Sequence, residues 1–247
     1  MNYFKLTKSW ISQIFDILRC TKNNSLIIGY TYLFIFLVLP SLPLIQFLSP
    51  VVIILWPIAV VQIVIFYHAS QDKKIKFLSL DPKIKKKLPQ LVRVGLVTFF
   101  YALVISSILS PQMQGIVEQT NLADNAVELS VFIKLLVKLF LLMLPLFAAT
   151  WFSPMIIVFQ NQEVLKSLKS SVAAILIYLI PLIMTWLCLV IIFAGSIYAT
   201  QSILMIFNFS QNIFMAISTI IIFSLTSIYV AALFIFQYLS YKEIFKL

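Results

Sequence analysis

Few residues in this chain could carry out chemistry. The only histidine is His68, with Asp72 four positions on. A Ser–His hydrolytic pair would have to use that ring, and Asp72 is the one carboxylate near it in sequence that could orient it. A histidine at the end of an apolar run reads more simply as an interfacial side chain. No Asp or Glu falls in the middle of an apolar run, so the paired intramembrane carboxylates of an aspartyl mechanism are missing. The sequence contains no G-x-S-x-G, no P-loop and no dinucleotide fingerprint. Cys20 lies in a basic, polar stretch and Cys188 in an apolar run. They imply no disulfide framework, and two cysteines with one histidine make no metal-site spacing. The residues therefore predict neither an enzyme nor a cofactor.

The lysines offer more. Lys134 and Lys138 are four apart, hence on one face of a helix. They suit snorkelling toward outer headgroups, near Glu118, Asp124 and Glu128, or contact with an anionic ligand. Residues 73–89 read KKIKFLSLDPKIKKKLP and hold Lys73, Lys74, Lys76, Lys83, Lys85, Lys86 and Lys87. In a soluble chain a net charge of +10 would point to nucleic acid. Here sixteen lysines accompany two arginines. Arginine is the residue suited to bidentate phosphate or base recognition, so no nucleic-acid partner is expected.

The elements around the lysine run settle its reading. PVVIILWPIAVVQIVIFYHA precedes it and LVRVGLVTFFYALVISSILS follows. The whole chain is 62% hydrophobic and only 11% charged. Soluble domains are about half apolar and about a quarter charged, and a folded surface cannot hide this much apolar area from water. A bilayer can.

A span needs ~20 mostly apolar residues. Six segments qualify, at about 25–47, 50–69, 90–110, 131–153 (with a continuation toward Phe159), 172–196 and 213–238. The prediction is an all-α, polytopic membrane bundle forming a single integral membrane domain over residues 1–247. The first apolar run is expected to be an uncleaved span, since it is too long for a signal h-region. With both termini in the cytoplasm, sixteen of the eighteen Lys and Arg residues fall on the cytoplasmic side, leaving Lys134 and Lys138 outside. That asymmetry is the positive-inside pattern. The run at 73–89 is then the cytoplasmic loop between spans two and three. Its lysines are predicted to set topology and to touch anionic headgroups.

Three amphipathic helices are expected on that side. Residues 4–20 place Trp10, Ile11, Ile14, Phe15, Ile17 and Leu18 opposite Lys5, Lys8, Ser9, Ser12, Asp16 and Arg19. Residues 81–88 open on Asp81-Pro82, an N-cap followed by proline at the first helical position. Residues 161–171 set Val164, Leu165, Leu168 and, just beyond, Val172 opposite Glu163, Lys166, Ser167, Lys169 and Ser170. Each precedes a pair of spans, so the chain divides into three units starting near 4, 81 and 161.

Pro57, Pro145, Pro154 and Pro181 lie in or beside spans and are expected to bend them. Trp151-Phe152-Ser153-Pro154 is expected at the inner end of span four, in an aromatic belt. Gln62, Thr150, Thr185, Thr226 and Ser227 are expected to satisfy backbone or interhelical hydrogen bonds. Four glycines and no GxxxG pair predict few close backbone crossings.

The stretch WFSPMIIVFQNQEVLKSLKSSVAAILIYLIPLIM (151–184) carries a resemblance. Trp151, Phe152 and Pro154, a short polar turn, and then Glu163, Lys166 and Leu168 to Ser171 leading into a span resemble a family of bacterial integral membrane proteins. The N-terminal plan is similar too, with Trp10 in an amphipathic helix and Pro40, Pro43 and Pro50 after span one. The layout resembles the YciC-like proteins and the membrane part of some glycerophosphodiester phosphodiesterases. The likeness covers most of the chain in layout and about 35 residues in motif. It implies a six-span bundle in a bacterial inner membrane and carries over no activity or catalytic residue. The chain departs from the pattern in its few span glycines and its lysine-rich second cytoplasmic loop.

The expectation is a non-enzymatic structural or accessory protein that contacts anionic lipids or other membrane proteins. Two alternatives are a transporter or channel for an apolar or amphipathic solute, using Lys134 and Lys138, and an intramembrane enzyme acting on lipid.

Overall fold

A computed structural model describes residues 3–43, 46–70, 81–122, 129–207 and 210–246. Among these residues every regular element is helical. Six helical segments are long and apolar enough to cross a membrane: Lys22–Ser41, Ser49–Ala69, Pro82–Gly115, Ser130–Phe159, Leu179–Ile206 and Gln211–Phe245. The chain is a multi-pass α-helical membrane protein.

Prolines decide most of the boundaries. Helix α1 (Tyr3–Cys20) turns at Thr21 into α2 (Lys22–Leu33), which continues through a π-helical turn, Phe34–Val38, into α3 (Leu39–Ser41). In the π turn the Leu39 N–H reaches the Phe34 carbonyl, five residues back. The span then stops at Leu42, which takes an extended ψ of 121°. Leu42 precedes Pro43, whose ring disfavours the helical region for the residue before it. This first span therefore ends several residues short of the expected 47.

A second pair follows. Helix α4 (Ser49–Ser70) runs straight through Pro57. Helix α5 (Pro82–Leu122) runs for 41 residues through Pro89 and Pro111. The stretch 81–88, expected as a separate interfacial helix, is the first two turns of this long helix. Its Ile84, with Leu91 and Val94 further along, packs on Val61 and Ile65 of α4, and that contact carries the helix past Pro89.

Two other prolines do break their helices. Proline removes the hydrogen bond to the carbonyl four residues back and collides with it. For Pro154 that carbonyl belongs to Thr150, the last residue of α6 (Leu129–Thr150); α7 (Ser153–Phe159) restarts after a two-residue break. For Pro181 it belongs to Ile177, the last residue of α8 (Val164–Ile177), and the chain bends at Tyr178 into α9 (Leu179–Ile206). The fifth span therefore starts at 179 rather than 172. Between α7 and α8 Asn161 sits at φ 63°, a left-handed position that asparagine tolerates after a helix end. Helix α10 (Gln211–Phe245) closes the bundle and runs past the expected end at 238.

The packing repeats three times around a ring. Helix α4 packs on α5, α6 and α7 pack on α8, and α10 packs back on α1 and α2. Each outgoing helix of one unit thus meets the incoming helix of the next. Burial along the three outgoing helices concentrates toward their ends: Val60–Tyr67 except Gln62, Phe152–Val158, and Ala231–Tyr241 except Leu233. These segments form the core together with Trp10, Ile14 and Ile17 of α1. Along α6 no described side chain before Thr150 is buried. Exposed Phe132, Leu136, Phe140 and Leu144 there are ordinary for a lipid-facing helix.

Candidate lipid-headgroup interface and the helix break behind it

The basic end is built from the N-terminus of α5. Asp81 caps it: one carboxylate oxygen accepts the Lys83 N–H at 2.8 Å, and the Asp81 carbonyl accepts from Ile84 at 3.0 Å. The Asp81 N–H donates in turn to the Gln62 side chain on α4, at 3.4 Å. The cap is thus fixed to its neighbour helix. From that start the 3.6-residue period does the rest. Ile84 is fully buried, while Lys83, Lys85 and Lys86 are exposed and Lys87 is half-buried. Three cations are therefore held outward by a core-anchored helix, with Lys87 half-buried beside them. Lys73, Lys74 and Lys76 lie outside the described residues.

Helix α1 behaves differently from the interfacial picture. Its apolar stripe does not lie free for lipid. Trp10, Ile14 and Ile17 are covered by α9 and α10, and the Trp10 ring lies 5.8 Å from that of Phe236. Lys5, Lys8 and Arg19 remain exposed on the other side.

Helix α8 buries a different stripe from the one expected: Glu163, Lys166 and Lys169 are exposed as predicted, but Leu165 is exposed with them and Ser167 is not. Ser167, Ser171 and Ala174, with Ile175, are buried, while Leu165 is 73% exposed. The reason is the broken helix beside it. The break at Trp151-Phe152 frees backbone groups in the interior, where an unpaired one costs about 1–3 kcal/mol. Ser171 Oγ donates to the Ala148 carbonyl at 2.7 Å and accepts the Phe152 N–H at 3.1 Å. From α10, Gln237 Nε2 donates to the Trp151 carbonyl. One serine and one glutamine satisfy three of the backbone groups freed at the break, the Ala148 and Trp151 carbonyls and the Phe152 N–H. Phe152 and the six residues after it are buried, so WFSP lies mostly in the protein core.

Ser171 and Gln237 went unnoticed as a site in the sequence. Gln237 carried a usable signal: a lone amide inside the apolar run ALFIFQYL needs a partner. Ser171 carried none, because serine on a cytoplasmic amphipathic helix reads as solvated.

The remaining candidates are not brought together. Lys134 is exposed and Lys138 half-buried along α6. The side chains of Glu118, Asp124 and Glu128, expected near them, lie outside the described residues. His68 Nδ1 pairs with the Tyr238 hydroxyl at 3.2 Å, and its ring stands edge-on to Phe159. Asp72 is outside the described residues. Thr150, Thr185 and Thr226 bond the carbonyl four residues back on their own helix, whereas Ser227 reaches across to the Leu26 carbonyl at 2.9 Å. Cys20 and Cys188 are both free thiols.

No family model, curated protein or solved structure matches the chain.

Proposed function

We propose that this is a non-enzymatic accessory protein of a bacterial inner membrane, holding a basic cytoplasmic end against anionic lipid headgroups or a membrane partner. The observation that carries the reading is the exposure of Lys83, Lys85 and Lys86 on a helix whose intervening Ile84 is locked in the core. A lysine near an anionic surface contributes about 1 kcal/mol, and rigid presentation adds up over several of them. With six spans, α1, the start of α5, the start of α8 and the end of α10 all fall on one side, so their exposed cations face the same leaflet.

The transporter alternative would use the break in α6–α7 as a binding point. Its Ala148 and Trp151 carbonyls and Phe152 N–H are bonded to Ser171 and Gln237, which favours a structural role for it. The enzyme alternative would need His68, whose Nδ1 is paired with Tyr238.

The test is a native mass spectrum of gently extracted protein, compared with a variant carrying Lys83, Lys85, Lys86 and Lys87 all changed to Gln. The expected result is retained anionic lipid on the native chain, reduced on the variant. Equal retention by both sinks the headgroup role of this helix.

A further inference from the structure

We propose that the groove between the end of α6 and the outer face of α8 is a seat for one anionic phospholipid, its phosphate at Lys169 and one acyl chain along Ala173 and Leu176. This rests on the lipid-contacting reading above and gives it a particular site.

The groove holds about 370 Å³ and is lined by Ala149, Leu168, Lys169, Val172, Ala173 and Leu176. It is a shallow, open recess of the surface, apolar except for one cation. Two alanines, one from each helix, make the recess between the larger Leu168 and Leu176. The face exists because α8 turns its serines inward to the helix break. Leu165 then points outward, and Leu176 and Ile177 are about two-thirds exposed.

Charge fixes the occupant. Lys169 is the single charged residue of the lining, and no acidic side chain shares the groove. It is exposed, as is Lys166 one turn closer to the start of the helix; the nearest acid in sequence, Glu163, stands at the N-cap. From Lys169 the stripe Val172, Ala173, Leu176 leads toward the span that α9 continues. Seven residues of helix cover roughly 10 Å. A cation at the mouth and an apolar track leading into the bilayer match a lipid with an anionic head. They do not match a soluble anion, which has nothing to place on the track. A zwitterionic lipid also offers a phosphate, but its own cationic headgroup offsets the attraction to the lysine, so a lipid with net negative charge is preferred. Apolar contact alone gives little preference within a bilayer, where the surroundings are equally apolar. Selectivity between headgroups must therefore come from Lys169.

The test uses the full chain in nanodiscs of three parts phosphatidylcholine to one part phosphatidylglycerol. A photoreactive p-benzoylphenylalanine replaces Leu176, and the lipid adducts are weighed. One lysine near the headgroups corresponds to about fivefold enrichment of phosphatidylglycerol over its share of the bilayer. Adding Lys169→Gln should return the ratio to the bilayer's own. Ala173→Phe, without the probe, should lower the number of anionic lipids retained in the native spectrum while leaving chain mobility unchanged. Adducts in proportion to the bilayer, or full retention by a folded Ala173→Phe chain, overturn the groove. If the groove fails while the Lys83–Lys87 variant still loses lipid, the broader reading survives without it. If neither set of changes alters retention, both fall.

Discussion

Gly95 lies so close to the backbone of Ile54 that a Cβ on it would overlap the Ile54 carbonyl. Gly29 stands in the same relation to Ser227. Each glycine is on an incoming helix and each partner on the outgoing helix of the preceding unit in the ring. At the third crossing the contact is Ser171 on Ala148, where the small side chain also donates the hydrogen bond. Only a small residue allows the helices this approach. Gly95→Ala should destabilise the fold by about 2 kcal/mol, the usual scale of overpacking. Gly115 and Gly195 have nothing within 4 Å of a would-be Cβ. Alanine there should be neutral or stabilising by up to about 1 kcal/mol, through its better helix propensity. Unfolding midpoints of the three variants in one detergent check the opposite signs.

Ser171 and Gln237 serve one break from two helices, so their losses should not add. Ser171→Ala leaves the Phe152 N–H and the Ala148 carbonyl without that partner. A cost of about 1–3 kcal/mol follows, and Gln237→Leu should cost a similar amount through the Trp151 carbonyl. Both side chains hold the same short stretch of backbone. The double variant is therefore expected to depart from the sum by at least about 0.5 kcal/mol. A four-member unfolding cycle measures this. Strict additivity would mean that the two bonds act independently.

Trp10 distinguishes a docked helix from one lying in lipid. Its ring is 2% exposed against Phe236, while Phe4 on the same helix is 74% exposed. Trp10→Ala should cost about 3–5 kcal/mol, as large-to-small changes in a packed core do. Phe4→Ala should change stability little. If the two variants unfold alike, α1 is not part of the packed core.

Much of the fold was legible because its signals are compositional. Long apolar runs, the Asp81-Pro82 helix start and the period of α1 can each be read from neighbouring residues. The misreadings share one cause: they depend on what lies across the helix. Prolines look alike in sequence, yet Pro89 leaves α5 intact because Ile84 and Leu91 are anchored, whereas Pro154 and Pro181 end their helices. The amphipathic pattern of α8 is real, but which side faces protein is decided by the broken backbone behind Ser171. Apolar residues favour the outside as readily as the inside when the outside is lipid. Periodicity alone therefore locates two faces without saying which one is buried.

The lysine-rich start of α5 also bears on orientation, and this separates its two roles. Reporter fusions after Gln119 and after Ser79 lie on either side of the third span. A reporter active only outside the cytoplasm should work at Gln119 and fail at Ser79. Changing Lys83, Lys85, Lys86 and Lys87 to Gln removes four of the sixteen cations assigned to the inner side and leaves two outside. The remaining excess of Lys and Arg, including Lys73, Lys74 and Lys76 of the same loop, still points inward. The fusion pattern should therefore persist in the variant even as anionic lipid is lost. Activity at Ser79 in the unaltered chain would overturn the six-span orientation. Activity there only in the variant would show that these lysines set topology first and meet lipid second.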